Sequence, residues 1–170
     1  MTIALLTGSM NPFTHGHKHL VDMSMRLFDE LVIGIGDNPD KKASDLFTSS
    51  ERVELTKQCV SEFGDRVVVQ TYKGATVDFA LSISATAMVR GIRNGTDHAY
   101  EASMTSANTL MSELEGGRLI PTVYFQCPPA LMEVSSTRVR ELIALGRGHQ
   151  VLGHYVMPPV IQMLETKQVG

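Results

Sequence analysis

One short segment of this chain combines the residue types that chemistry at a phosphate requires. Residues 8–17 read Gly-Ser-Met-Asn-Pro-Phe-Thr-His-Gly-His, and they lie between an apolar run and a helical pattern. Gly8 and Gly16 let the main chain approach a ligand closely, and the free amides at a helix start attract anions. His17, at the start of the helix, can donate a hydrogen bond to a phosphate oxygen whose charge grows in a transition state. For an isolated histidine the alternative is simple capping of the helix.

Hydroxyl and guanidinium groups elsewhere in the chain could complete such a site. The turn at 135–137, Ser-Ser-Thr, opens a helical pattern and could form an anion site or a plain N-cap. Arg90 and Arg93 could each bind a phosphate through two hydrogen bonds from the planar guanidinium, or could be a solvated surface pair. Tyr100 and Glu101, taken by themselves, would serve helix packing and a surface ion pair.

The elements that must position these residues alternate between strand and helix. Short apolar runs predict strands at 3–7, 31–35, 66–71, 87–89 and 119–125. Helical patterns and breaker residues predict helices at 17–28, 48–63, 77–84, 99–114, 136–145 and 158–165, with a helix stop and loop over 146–154. Strands joined by crossover helices form a parallel sheet. We therefore predict a doubly wound, Rossmann-like α/β fold with five strands, whose ligand lies outside the carboxyl ends of the strands.

The bulk properties limit the classes of function. The 170 residues suit one domain over 1–170, with a helical portion at about 136–170. A net charge of −3 gives no basic field for nucleic acid, and no apolar run approaches the roughly 20 residues of a membrane span. The two cysteines and the N-terminus suggest a cytoplasmic protein without a disulfide framework. A metal site shared by His15, His17 and His19 is disfavoured by their alternate spacing.

Two motifs resemble those of a known superfamily. Thr-His-Gly-His at 14–17 and Val-Ser-Ser-Thr at 134–137 resemble the motifs of the HxGH-type nucleotidyltransferases. The middle of the chain is similar to the phosphopantetheine adenylyltransferase family, with which it is collinear over about residues 3–165. The similarity rests on Arg-Gly-Ile-Arg at 90–93, on Tyr100-Glu101 within 97–108, and on Asn-Pro-Asp-Lys-Lys at 38–42. Met10 and Asn11 stand where that family commonly has an aromatic residue and an aspartate.

The resemblance implies a reaction and a role for each matching residue. It implies transfer of an adenylyl group from ATP to 4′-phosphopantetheine, giving dephospho-coenzyme A and pyrophosphate, with Mg²⁺ and no resident metal site. It implies a homohexamer in which dephospho-coenzyme A or coenzyme A is product or inhibitor. The net charge and the lack of a long apolar run, taken from the sequence itself, predict no nucleic-acid or membrane partner. His17 and Lys41 would be the catalytic residues. The acceptor would contact Ser9, Lys41, Thr76 and Arg90. ATP would contact Gly8, Ser9, Met10, His17, Gly91, Arg93, Tyr100, Glu101, Ser135, Ser136 and Thr137.

Two alternatives remain at this point. The chain could be another nucleotidyltransferase of the superfamily with a different phosphorylated acceptor, such as nicotinate mononucleotide or glycerol phosphate. It could also be a non-catalytic protein that binds a nucleotide or coenzyme A. Against the second stand His17, Lys41, Arg90 and Arg93 together, because a binding module has no need to retain all four.

Overall fold

A computed structural model describes residues 1–36, 46–93 and 119–168. Among these residues, five parallel strands form one sheet in the order β3-β2-β1-β4-β5, which confirms the predicted Rossmann-like α/β fold. The strands are β1 (Ile3–Gly8), β2 (Glu30–Gly36), β3 (Val67–Tyr72), β4 (Ala87–Ile92) and β5 (Thr122–Gln126). The chain order reverses between β1 and β4, so a crevice for a ligand is expected at the carboxyl ends of these two neighbours.

Helices connect and cover the strands. They are α1 (His15–Leu27), α2 (Ser49–Cys59), α3 (Thr76–Ser82), α4 (Ser136–Ala144), α5 (His149–Leu152) and α6 (Pro158–Gln168), with 3₁₀ turns at Ser61–Arg66 and Pro129–Leu131. Both faces of the sheet are buried, as parallel strands require. Leu6, Ile33 and Val89 belong to the larger apolar core, whereas Leu5 and Val32 belong to a smaller one on the other face.

The strand predictions were least accurate where chemistry-bearing residues interrupt the apolar run. β4 was predicted to end at 89, yet it continues through Arg90 and Gly91 to Ile92. In that extension Arg90 pairs with Tyr124 and Ile92 with Gln126 of β5. Arg90 and Gly91 interrupt the apolar pattern, so the sequence did not predict that the strand continues. The extension forms because it pairs with β5, which lies far along the chain. β5, in turn, begins at Thr122 and not at 119.

Several helix boundaries also differ from the predictions, for local reasons. α1 begins two residues earlier than expected because Thr14 is its N-cap. α2 ends at Cys59, and after Val60 the residues 61–63 belong to the following 3₁₀ turn. α3 ends at Ser82, before Ser84, whose φ of 55° is incompatible with a right-handed helix. The predicted loop at 146–154 contains the short helix α5, and α6 extends beyond 165 to Gln168.

The predicted helix at 99–114 lies outside the described residues. Of the helices that the structure describes, none is both long and apolar enough to cross a membrane.

Candidate active site

A cavity of about 310 Å³ lies at the carboxyl ends of β1 and β4, at the reversal of strand order. The loop that follows β1, the end of β4 and the start of α4 all contribute to its walls. The predicted site residues that line it are Ser9, His17, Gly91, Arg93, Ser135, Ser136 and Thr137. The structure thus brings together two motifs that are more than a hundred residues apart in the sequence, as the fold class predicts.

The imidazole of His17 is held at the start of α1 by the residue that caps this helix. The backbone amide of Thr14 donates a hydrogen bond to Nδ1 of His17 over 3.0 Å, and the Thr14 hydroxyl lies 3.1 Å from the same nitrogen. The Thr14 hydroxyl in turn accepts from the His17 amide, which completes a capping box. Since Nδ1 accepts an amide proton, the ring proton of the neutral imidazole is on Nε2, where a ligand in the cavity can use it.

The surroundings of His17 keep its ring neutral. Burial lowers the pKa of His17 to about 4, and the positive charge of Arg93 acts in the same direction. At neutral pH the side chain is therefore a hydrogen-bond donor without a formal charge. Capping and ligand binding, the two interpretations of His17, are compatible because they use different nitrogens of the ring.

The start of α4 presents amides and hydroxyls to the same cavity. Ser135 is the N-cap, and its hydroxyl oxygen accepts from the Arg138 amide over 3.1 Å. The Ser136 hydroxyl donates to the carbonyl oxygen of Pro12 over 2.8 Å. For an anion, Ser136 therefore offers its main-chain amide, which like that of Thr137 has no acceptor within the helix.

Arg140 joins this helix to the loop after β1. Its Nη1 donates to the carbonyl oxygen of Asn11 over 2.6 Å, and its Nη2 donates to the Thr137 hydroxyl over 3.2 Å. Because that hydroxyl oxygen accepts from Arg140, its own proton can be donated to a ligand. Arg140 also lines the cavity. The sequence analysis missed it, although it follows Ser136 by four positions and so lies on the same helix face.

The charges around the cavity favour an anionic ligand. Among the described residues that line it, Arg93 and Arg140 are cationic, and none is an aspartate or a glutamate. The amino end of α4 adds a partial positive charge. No group of three or more histidine, cysteine or acidic side chains suited to a metal ion occurs within 1–36, 46–93 and 119–168.

Comparison with known proteins identifies the family to which this chain belongs. The cytidylyltransferase-like family model matches residues 5–142. The phosphopantetheine adenylyltransferase of Rhodopirellula baltica is 41% identical over 166 residues, which cover 98% of this chain and 88% of that relative. The chain belongs to the phosphopantetheine adenylyltransferase family. Another member, from Methylocella silvestris, is 36% identical over 169 residues, with 97% of this chain and 95% of the relative covered.

Solved structures of lower identity show that the fold of this phosphopantetheine adenylyltransferase family member is shared more widely. The nicotinic acid mononucleotide adenylyltransferase of Plasmodium falciparum, complexed with NaAD, matches with a TM-score of 0.71 at 13% identity. The match covers 98% of this chain and 95% of that one. At this identity the likeness shows the fold alone.

Some residues that the family resemblance assigns to the site lie away from the lining of the cavity. Met10 is only 1% exposed, its side chain packs against Gly8, and it is not among the residues that line the cavity. Arg90, at the end of β4, donates to the carbonyl oxygen of Thr7 over 3.0 Å. The Thr76 hydroxyl lies at the start of α3, 2.9 Å from the hydroxyl of Tyr72.

Other assigned residues fall outside the described part of the chain. They are Lys41, with the rest of the 38–42 motif, and Tyr100 and Glu101 of the 97–108 segment. Their roles stay predictions from the family resemblance.

Proposed function

We propose that this protein transfers the adenylyl group of ATP to 4′-phosphopantetheine and so forms dephospho-coenzyme A and pyrophosphate. The observation that carries the proposal is the neutral His17, whose Nε2–H is available in a cavity lined by arginines and helix amides. This arrangement suits a reaction whose transition state concentrates negative charge on phosphate oxygens. The names of the Rhodopirellula baltica and Methylocella silvestris relatives support 4′-phosphopantetheine as the acceptor.

The proposed reaction is a direct displacement at the α-phosphorus. An oxygen of the acceptor phosphate attacks the α-phosphorus in line, the bond to the β-phosphate oxygen breaks, and pyrophosphate leaves. No protein nucleophile is required, because catalysis of this type rests on positioning and on charge stabilisation. His17 donates its Nε2 proton in a hydrogen bond to an α-phosphate oxygen, and this bond strengthens as charge accumulates there.

The other residues of the cavity divide between the two substrates. Arg93, with the amides of Ser136 and Thr137 at the start of α4, holds the β- and γ-phosphates. Ser9, which also lines the cavity, contacts the acceptor phosphate. Following the family resemblance, Lys41 orients the reacting phosphates, and Arg90 and Thr76 bind the acceptor outside the cavity lining. Tyr100 and Glu101 contact the adenosine.

Mg²⁺ is proposed to arrive with ATP and not on a protein site. The described lining offers no carboxylate, and Mg²⁺ is commonly bound through substrate phosphates with several waters. No catalytic step is therefore assigned to the ion. Activity in a titration with ethylenediaminetetraacetate should be lost and then restored by added Mg²⁺, while the thermal unfolding midpoint of the protein without ATP should not change.

An acceptor panel tests the proposed reaction. Pyrophosphate release with ATP is measured in the presence of 4′-phosphopantetheine, nicotinate mononucleotide or glycerol phosphate, one at a time. Release only with 4′-phosphopantetheine supports the proposal. Release only with one of the others assigns a different acceptor to the same chemistry. ATP binding in calorimetry without turnover on any acceptor would support a non-catalytic nucleotide-binding protein.

The assembly is a proposal from the same resemblance, and the compartment is a proposal from the low cysteine content. We expect a homohexamer in the cytoplasm, and sedimentation equilibrium should give six times the mass of one chain. A monomer in that experiment would remove the hexamer from the proposal without affecting the acceptor panel.

A further inference from the structure

A buried arginine lies beneath the loop after β1 and is not a residue that the proposed mechanism uses. Arg52, in the first part of α2, is only 3% exposed. Its Nη1 donates to the carbonyl oxygen of Ser9 over 2.8 Å, and its Nη2 donates to the hydroxyl of Ser49 over 3.0 Å. Ser9 itself lines the cavity.

The contact with Ser9 is adjacent to a strained residue. Met10 has a φ of 46°, in the left-handed region that residues other than glycine rarely adopt. Such a conformation persists only where surrounding contacts hold it in place. The carbonyl group that Arg52 binds belongs to the peptide joining Ser9 to Met10, so this bond fixes the plane of the peptide that enters the strained residue.

A second contact from the same segment lies on the other side of Met10. The amide of Phe47 donates to Oδ1 of Asn11 over 3.2 Å, and both residues are buried. The segment 47–52 therefore binds the loop immediately before and immediately after Met10. Two anchors that flank one strained residue are the arrangement expected of a support that holds a loop in its binding conformation.

We propose that Arg52 is a positioning residue for phosphate binding, which holds Ser9 and the strained Met10 in the conformation that a phosphate ligand requires. It acts through the main chain of the loop and does not touch the substrate. The inference rests on the proposed function of the cavity. The planar guanidinium suits this task because it binds two acceptors at once in fixed directions, which an ammonium group cannot reproduce.

The chain offers a matched control for this proposal. Arg66 also donates to main-chain carbonyls, those of Asp29, Met25 and Phe28, at distances of 3.0 to 3.3 Å. These carbonyls lie at and after the end of α1, the opposite end from His17. Arg66 is exposed whereas Arg52 is buried, but replacing Arg66 likewise removes hydrogen bonds from an arginine to main-chain carbonyls, and it leaves the loop after β1 unchanged.

The test compares R52Q, R52K and R66Q by kcat/KM for 4′-phosphopantetheine and by the thermal unfolding midpoint. We expect R52Q to lower kcat/KM about 100-fold, since a small misplacement at a remote residue can have an effect of this size. R52K should recover part of the loss. R66Q should lower the unfolding midpoint but keep kcat/KM within about threefold of the wild type. A change of about threefold is small compared with the roughly 100-fold loss expected for R52Q.

Other outcomes would overturn the proposal. A soluble R52Q with kcat/KM within threefold of the wild type would do so. A loss of kcat/KM in R66Q equal to that in R52Q would also overturn it. If R52Q is insoluble, R52K is the only variant tested, and it must lower kcat/KM by tenfold or more. If the wild type does not turn over 4′-phosphopantetheine, the proposed function fails. Arg52 is then judged by calorimetry with ATP, where a Kd raised at least fivefold in the Arg52 variant but not in R66Q supports positioning and any smaller rise overturns it.

Discussion

The amide of Thr14 donates a hydrogen bond to Nδ1 of His17 across 3.0 Å, and this single contact determines the tautomer of the histidine. An amide donor requires a bare acceptor, so the proton of the neutral ring is on Nε2. Thr14, the N-cap of α1, therefore uses Nδ1 of His17 and leaves the Nε2 proton available to a ligand. One contact at the start of the helix therefore leaves on Nε2 the proton that the proposed mechanism uses.

The first prediction separates the two roles of His17. In His17→Asn the carboxamide oxygen can still accept the Thr14 amide, but no donor remains at the position of Nε2. We expect kcat to fall about 10²- to 10³-fold, the effect of removing one donor to a transition-state oxygen. The unfolding midpoint and the Kd for ATP should stay close to the wild-type values. Pyrophosphate release, thermal unfolding and calorimetry provide the three measurements.

His17→Ala is the control for this prediction because it removes both the donor and the acceptor of the cap. It should lose as much kcat as the asparagine variant and, in addition, about 1 kcal/mol of unfolding free energy. A His17→Asn variant with wild-type kcat would remove His17 from the chemistry. Equal stability of the two variants would show that the bond from Thr14 contributes little.

The second prediction concerns the dependence of stability on pH. The folded-state pKa of His17 is lowered to about 4 by burial and by Arg93, whereas an unfolded histidine titrates near 6.5. Between these values the unfolded chain binds more protons, so stability increases with pH through this window. The contribution is complete above about pH 6.5 and is lost as the pH falls towards 4. From pH 7 to pH 5 the unfolding midpoint of the wild type should fall more than that of His17→Asn, and parallel curves would contradict the assignment.

Sequence patterns predicted the parts of this site that are encoded locally. Glycines marked the loop around His17, although α1 was predicted to begin two residues too late because Thr14 was not identified as its N-cap, and a serine cluster marked the N-cap of α4. The hydrogen bond from Arg52 to Ser9 spans 43 positions, and that from Arg140 to Asn11 spans 129. Neither has a local signature, because each depends on how the finished sheet brings distant segments together. The extension of β4 was missed for the same reason.

The third prediction distinguishes capping from phosphate binding at Ser135. Ser135→Ala should lower the free energy of unfolding by about 0.5–2 kcal/mol, because the Arg138 amide loses its acceptor. Ser135→Asp restores an acceptor and should keep near-wild-type stability. Its carboxylate, however, would repel phosphates, so KM for ATP should rise at least about tenfold. An aspartate variant with unchanged KM would mean that no phosphate comes near this residue.

The fourth prediction tests the close packing at Gly34 in β2. A Cβ atom there would lie 2.7 Å from Cε1 of Phe79, so the ring would have to move. That ring stacks on Tyr72, whose hydroxyl contacts Thr76. Gly34→Ala should therefore destabilise the protein by about 1–3 kcal/mol and should also raise KM for the acceptor. Gly36→Ala, in the same strand, is the control, because among the described residues the nearest atom to a Cβ there is the Tyr72 hydroxyl at 3.7 Å. An equal effect in both variants would refute the packing argument.

The fifth prediction concerns Asn11, whose buried side chain accepts the Phe47 amide over 3.2 Å. Asn11→Asp keeps an acceptor, and the nearby Arg140 offsets part of the penalty for burying a carboxylate, so its stability should lie within about 1 kcal/mol of the wild type. Asn11→Leu has a similar size but leaves the Phe47 amide buried without its acceptor, which should cost about 1–3 kcal/mol. Urea unfolding of both variants measures the difference. Equal stability would show that this bond does not hold the loop, and the support of Met10 would then rest on Arg52.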